Sequence, residues 1–362
     1  MRVRWRQVVL AAAALPVAVI LFAWSGVFDV AASSGHWKIT DWFLHFAMRS
    51  SVRTYALPVE RPAELPRYAL QPAAGHFARG CAICHGAPGE ARSPAALRML
   101  PQPPDLAGKV GDWSDAQLFY ILKHGVRFTG MPAWPTQARD DEVWAMVAFL
   151  RELPGLDRDR YRDLAYGAQA PTTRPGGFDE ALAECVRCHG RDGVGRSKAT
   201  PVIAGQKQAY STAQLQAYAD GRRHSGVMAL PVLAVDEAQL HALAGHFANL
   251  PWPRIAVQPP DADLFSEGEE IARRGIPERS VPACLACHAN ERSPSYPRIV
   301  AQKPTYLQAQ LRLFRAGQRG GSDRAHLMTK VAKGLSERDI EALATFFSNR
   351  THENATSVTE RR

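Results

Sequence analysis

Cysteine is scarce in this chain of 362 residues. There are six, and all six fall in three copies of one pentad, Cys-x-x-Cys-His. None is left over for a disulfide, a zinc cluster or a catalytic thiol. Long apolar runs are equally few. Residues 8–28 hold no charge and nothing comparable follows, which excludes a polytopic membrane protein. A composition 46% hydrophobic and 22% charged excludes a disordered tail and suits two or three compact domains. The 26 prolines and 27 glycines point to short elements and many turns rather than long coiled helices. The formal net charge of +9, taken alone, suits a nucleic-acid partner. By segment it is +5 over residues 1–80, −1 over 81–153, 0 over 176–253 and +4 over 254–350.

The pentads are Cys81-Ala82-Ile83-Cys84-His85, Cys185-Val186-Arg187-Cys188-His189 and Cys284-Leu285-Ala286-Cys287-His288. Cysteines three apart lie on one face of a helical turn, where each can form a thioether to a vinyl group of one porphyrin. The histidine that follows then aims a ring nitrogen at the iron. This is the attachment signature of c-type haem. A Cys-x-x-Cys alone also suits a redox dithiol or half a zinc site. Three pentads that consume every cysteine favour three covalently bound haems. Their ionised propionates subtract about two charges per group, which removes the case for nucleic acid.

The apolar run at residues 8–28 follows Arg2, Arg4 and Arg6. It is long enough to span a bilayer, and the preceding cations predict a cytoplasmic N-terminus with the rest exported. Pro16 within it is tolerable in a membrane helix. We read the run as an uncleaved anchor. The competing reading is a cleaved signal, since Val30-Ala31-Ala32 resembles a small-residue cleavage site. Over residues 39–56, Trp42, Phe46 and Met48 oppose Arg49 and Arg53, which suits a helix on the membrane surface or an ordinary packing helix.

Beyond the anchor the chain repeats. The first cysteines are 104 and then 99 residues apart, and each unit ends in an amphipathic helix. Apolar stripes at helical spacing are Val143, Met146, Val147, Leu150 and Leu153, then Leu240, Leu243, Ala244, Phe247 and Leu250, then Ile340, Leu343, Ala344 and Phe347. Asp140 or Asp141, Asp236 and Ser336 stand where N-caps belong. Polar, proline-bearing spacers are expected over 155–177 and 252–263. The expected divisions are an anchor over 1–30, a juxtamembrane segment over 31–69, and haem units over 70–154, 176–252 and 261–350.

Each iron needs a second axial ligand. Met131, Met228 and Met328 lie 46, 39 and 40 residues after His85, His189 and His288, each in an expected loop before the last helix of its unit. A thioether opposite imidazole favours the ferrous state and raises the potential, which suits one-electron transfer. Met48, Met99 and Met146 read as core filler. The histidine rivals His124, His224 and His326 read as solvated loop residues. The proximal ring also needs an acceptor for its other N–H, and the carbonyls of Pro104, Pro201 and Pro297 are the candidates. Arg222, Arg223 and Arg319 are candidate propionate partners.

All three units resemble class I cytochrome c domains. Gly130-Met131-Pro132 with Trp134 resembles the ligand loop of single-haem domains. Residues 185–193, Gly205-Gln206 with Tyr210 and Gln214-Leu215, and Ala301-Gln302 with Tyr306, Gln310-Leu311 and Arg319 resemble the diheme cytochromes of the c-four group. Unit three departs from the pattern, with Ala289-Asn290 replacing the usual glycine after the pentad. The resemblance implies an all-α chain of three tandem class I cytochrome c domains after the transmembrane helix, with units two and three packed as a pair. The expected function is one-electron transfer in a respiratory chain on the periplasmic face of a bacterial inner membrane, toward a terminal oxidase. The alternatives are the cytochrome subunit of a dehydrogenase acting on an alcohol, aldehyde or sugar acid, and a haem peroxidase. The last needs an open iron position, which three ligand methionines argue against. The cations Arg312, Arg315, Arg319, Arg324, Lys330 and Lys333 suggest that unit three docks an acidic partner.

Overall fold

A computed structural model describes residues 4–31, 33–167, 176–253, 260–289 and 293–350, and among these there is no β-strand. The apolar run forms α1 (Trp5–Trp24), exposed along its whole length and apolar enough to cross a membrane. Helix α2 (Lys38–Tyr55) behaves differently in its two halves. Toward its C-terminus Val52 is buried, Tyr55 stacks on Tyr120 at 5.9 Å and Arg49 lies 5.3 Å over Trp113, so this half packs on unit one. Toward its N-terminus Trp42, Phe43 and Phe46 are exposed.

Unit one comprises α3 (Leu70–Gly80), α4 (Ala82–His85), α5 (Asp115–His124) and α6 (Asp140–Glu152). The next helix, α7 (Arg158–Tyr166), occupies part of the expected spacer. It forms because Asp157 caps it and Tyr161 is wholly buried, 6.3 Å from Phe77 of α3. The apolar side chain beneath a polar surface hid it from a composition reading. Residues 168–175 of that spacer and 254–259 of the next lie outside the described residues. Unit two holds α8 (Phe178–His189), α9 (Gln208–Ala219), α10 (Gly226–Val232) and α11 (Glu237–Ala248). Unit three holds α12 (Ala262–Arg274), α13 (Leu285–His288), α14 (Pro304–Arg315), α15 (Ala325–Lys333) and α16 (Glu337–Ser348).

In each unit the helix leading to, or carrying, the pentad packs on the last helix: α3 on α6, α8 on α11 and α12 on α16. The stripes expected for the last helices face inward, except that Leu250 lies past the end of α11 and is half-buried. Asp236 and Ser336 close capping boxes with Gln239 and Asp339, as their sequence positions suggest. The first unit differs. Asp140 is already helical and the cap position is Arg139, without a side-chain cap. Helix α6 is also buried on every side from Glu142 to Leu150, because α3 and α5 both pack on it, with Phe149 on Phe77 and Trp144 on Phe119, while Glu142 meets unit two.

Units two and three join through a reciprocal clasp. Gln302 accepts from Val202 N at 2.8 Å and donates to Val202 O at 2.9 Å. Gln206 does the same to Arg298 N and O, both at 2.9 Å. Lys303 donates to the carbonyls of Gly195 and Ser197, and Lys207 to that of Ser293. Unit one meets unit two through buried Arg187, which donates to Gly75 O and Ala165 O at 3.2 Å and lies 4.7 Å over the Tyr166 ring. Arg79 pairs with Glu184 across the same seam.

Two outcomes follow from this packing. A side chain on Gly268 of α12 would overlap the Ala342 carbonyl of α16, so Gly268→Ala is expected to cost unit three roughly 1–3 kcal/mol. Thermal melting checks this, and a variant melting with wild type would mean the two helices are free to separate. Gln302→Ala strands two buried backbone groups of Val202 and Gln206→Ala two half-buried ones of Arg298, and each is expected to cost about 1–3 kcal/mol. Denaturant titration of the two variants should give similar losses, as the symmetry of the clasp requires.

Candidate haem sites

The pentads sit on single helical turns. In the first, the N–H groups of Cys84 and His85 both reach Cys81 O at 3.0 Å. In the third, those of Cys287 and His288 reach Cys284 O at 3.3 and 3.0 Å. The second pentad ends α8. Each turn therefore presents two sulfurs and one imidazole to the same side. All six cysteines are unpaired, and burial pushes the Cys81 and Cys185 thiols up to about 12 and Cys284 to about 11. Among the described residues no three His, Cys, Asp or Glu gather as a metal cluster.

The proximal histidines are oriented alike. Nδ1 of His85 donates to Pro104 O at 2.9 Å, His189 to Pro201 O at 3.4 Å and His288 to Pro297 O at 3.1 Å. These are the carbonyls that the sequence suggested. The bond fixes the tautomer and leaves Nε2 with its lone pair available. Burial lowers all three imidazoles, His189 to about 4, so each is neutral and fit to bind a metal at neutral pH.

Units two and three share one cavity of about 970 Å³, at the upper end for a ligand pocket, which unit one also lines with Pro72, Ala73, Glu142 and Ala145. Cys185, Cys188, His189 and Met228 line it from one unit, and Cys284, Cys287, His288 and Met328 from the other. Its apolar walls include Leu240, Leu243 and Phe247 of α11, and Leu343, Ala344 and Phe347 of α16. A large apolar slot, two thiols and a neutral imidazole together fit a covalently held porphyrin in each half. His85 opens on a separate cavity of about 460 Å³ in unit one. Met131 packs against the unit-one core.

One expectation needs correction. Met228 and Met328 lie on short helices, α10 and α15, instead of loops; only Met131 is in a loop. The Ser225 hydroxyl nucleates α10 by capping Met228 N at 3.1 Å, and α15 packs on α14. The six cations expected to form a basic face on unit three differ in setting, with Lys330 and Lys333 exposed. Arg312 and Arg315 both pair with Glu337, Arg324 donates to the Tyr296 hydroxyl, and Arg319 is buried. His124, His224 and His326 are exposed and none lines either cavity.

Of the arginines, Arg223 and Arg319 line the shared cavity and Arg222 instead pairs with Asp220. Arg223 reaches Tyr306 and Gln310 of the other unit, and Arg319 reaches Tyr210 in return. The sequence carries a signal for this reciprocity. Gln206 and Gln302, Tyr210 and Tyr306, and Arg223 and Arg319 are all separated by 96 residues. Glu142, buried at the seam of units one and two, was missed. It reads as the third of three acids that favour a helix start.

Comparison with known proteins agrees with this geometry. Residues 69–150 match the family model described as cytochrome c oxidase, cbb3-type, subunit III. The chain is 32% identical over 178 residues to a thiosulfate dehydrogenase electron acceptor of Stutzerimonas stutzeri, covering 48% of this chain and 82% of that protein. A protein of the same description from Thiomonas intermedia is 34% identical over 166 residues, covering 45% and 76%. Cytochrome c4 of Pseudomonas aeruginosa is 30% identical over 168 residues, covering 45% and 82%. With the pentads, the proline-held histidines and the paired units, these relatives place the chain in the class I cytochrome c family, as a multihaem electron-transfer protein related to cytochrome c4.

Proposed function

We propose that this chain is a membrane-anchored triheme carrier that moves electrons one at a time on the periplasmic face of a bacterial inner membrane. The observation that carries it is the threefold recurrence of a cysteine pair, a histidine held by a proline carbonyl and a following methionine. When bound, haem c supplies iron that accepts and releases one electron. The chain's own residues do the rest. Cys81, Cys84, Cys185, Cys188, Cys284 and Cys287 would hold the porphyrins by thioethers. His85, His189 and His288 would each give the iron an imidazole nitrogen, and Met131, Met228 and Met328 a thioether sulfur. An iron held by both would have no place for a substrate, which favours a carrier over a peroxidase. The residue divisions at 70–154, 176–252 and 261–350 carry over, with α7 added to the first.

Helix α1 supports the anchor, and the exposed Trp42, Phe43 and Phe46 of α2 suit a helix lying on the membrane surface. A cleaved signal remains the competing reading of α1. The donor reading is a second matter. Two relatives are described as electron acceptors of thiosulfate dehydrogenase. That favours a dehydrogenase donor of inorganic sulfur chemistry over the alcohol, aldehyde or sugar-acid enzymes suggested by the sequence. A terminal oxidase is the proposed acceptor.

A pyridine haemochrome assay on the purified full chain is expected to give three haems per polypeptide, none extractable by acid acetone. A ratio of two would overturn the triheme reading. Met131→His, Met228→His and Met328→His are each expected to remove about a third of the sulfur-to-iron absorption and lower one midpoint potential. A variant that changes neither removes its methionine from the ligand set. Reduction by a thiosulfate dehydrogenase and thiosulfate, followed by optical spectroscopy, tests the donor.

A further inference from the structure

Helix α10 carries Met228 in unit two, yet its first turn is held by unit one. Glu142 of α6 is buried and accepts four hydrogen bonds there. Its Oε1 accepts from the Ser225 hydroxyl at 2.6 Å, and its Oε2 from Gly226 N at 2.6 Å, Val227 N at 3.3 Å and Trp134 Nε1 at 3.4 Å. The same Ser225 hydroxyl accepts from Met228 N at 3.1 Å, so one chain of bonds runs from the carboxylate to the methionine backbone. Arg139 pairs with Glu142 at 2.9 Å and also donates to His224 O at 3.0 Å, gripping the residue just before Ser225.

Shape adds to this. A Cβ on Gly226 would overlap the Trp134 indole, so the start of α10 lies flat on that ring. The His76 ring backs Trp134 at 4.3 Å. Trp134 itself follows Met131 by three residues. The socket thus joins the methionine segments of two different units. Nothing comparable holds α15 from outside its own unit among the described contacts: it packs on α14 of unit three. A buried carboxylate is costly unless its acceptor sites are filled. Here several are filled by the turn leading to Met228.

We propose that Glu142 is a positioning residue for Met228: unit one, through this carboxylate, fixes the start of α10 and so sets how the methionine sulfur meets the second haem site. The inference rests on the Met/His ligation proposed above. Unit one is then part of the second site's ligand machinery as well as a separate carrier.

The test uses the haem-loaded full chain and reads the sulfur-to-iron band and the midpoint potentials. Wild type first checks the ligation itself: a band of about three sulfur-ligated haems supports that reading, and its absence removes the ligation reading together with the positioning role that rests on it, whereas unchanged variants in a wild type that shows the band remove the positioning role alone. Glu142→Ala is expected to lose about a third of the band and lower one midpoint of the three. Glu142→Gln is expected to keep most of the band, since its amide oxygen can still accept from Gly226, Val227 and Trp134. A folded, three-haem Glu142→Ala protein with wild-type band and midpoints overturns the proposal. If that variant does not load haem, Ser225→Ala decides. It leaves the Glu142 contacts to Gly226 and Val227 but breaks the relay to Met228. Imidazole is expected to displace the ligand at one haem at a several-fold lower concentration than in wild type. Displacement at the wild-type concentration overturns the proposal.

Discussion

The bond from each proximal imidazole to a proline carbonyl is the constraint on which the other contacts converge. It sets which ring nitrogen is free and where that nitrogen points. It also obliges the loop after each pentad to return beneath the histidine. In unit one that loop is held from within, by Arg92 donating to Pro103 O at 2.8 Å. In units two and three it is held from across the interface. Gln302 grips Val202, the residue after Pro201, and Gln206 grips Arg298, the residue after Pro297. Neither unit of the pair completes its own proximal support, so pairing and site geometry are one property.

Buried cations follow the same logic. Arg187 lies at the first seam and is offset by Glu184 at 3.1 Å, by backbone carbonyls and by an aromatic face. Arg223 and Arg319 lie at the second seam, Arg223 with Tyr306, Gln214 and Gln310 for partners and Arg319 with Tyr210 and Gln310. Burying charge is costly unless every donor is used. The guanidinium's planar fork lets one residue satisfy several acceptors from two units at once. Part of the positive charge counted in the sequence is therefore interior. The surface of unit three is less basic than its residue count implies, and the case for electrostatic docking there weakens accordingly.

The chain also divides labour unevenly. Units two and three form a near-symmetric pair with matched residues at a constant offset. Unit one has its own core, in which Phe77 meets Phe149 at 5.1 Å and Tyr161 at 6.3 Å, and it leans on the pair through α3 and α6. Gly75 of α3 lies so close to the second pentad that a Cβ there would sit 3.3 Å from the Cys188 sulfur. The second site is accordingly the most enclosed, with His189 buried where His85 and His288 are half-buried.

The sequence by itself determined the three Cys-x-x-Cys-His turns, the prolines whose carbonyls accept from their histidines, the caps at Asp236 and Ser336 and the apolar stripes of the last helices. All of these are short-range: a helical period or a single loop closes each one. The tertiary structure alone decided the rest. Residues 158–166 look polar and become a helix because one buried tyrosine reaches Phe77. Met228 and Met328 look like loop residues and are helical because Ser225 caps one segment and α14 supports the other. Glu142 looks like a helix-start acid and is a buried junction, since its partners at Ser225, Gly226 and Val227 lie more than eighty positions away. A contact of that separation depends on which faces of two finished units meet. Residue spacing along one element carries no record of that meeting.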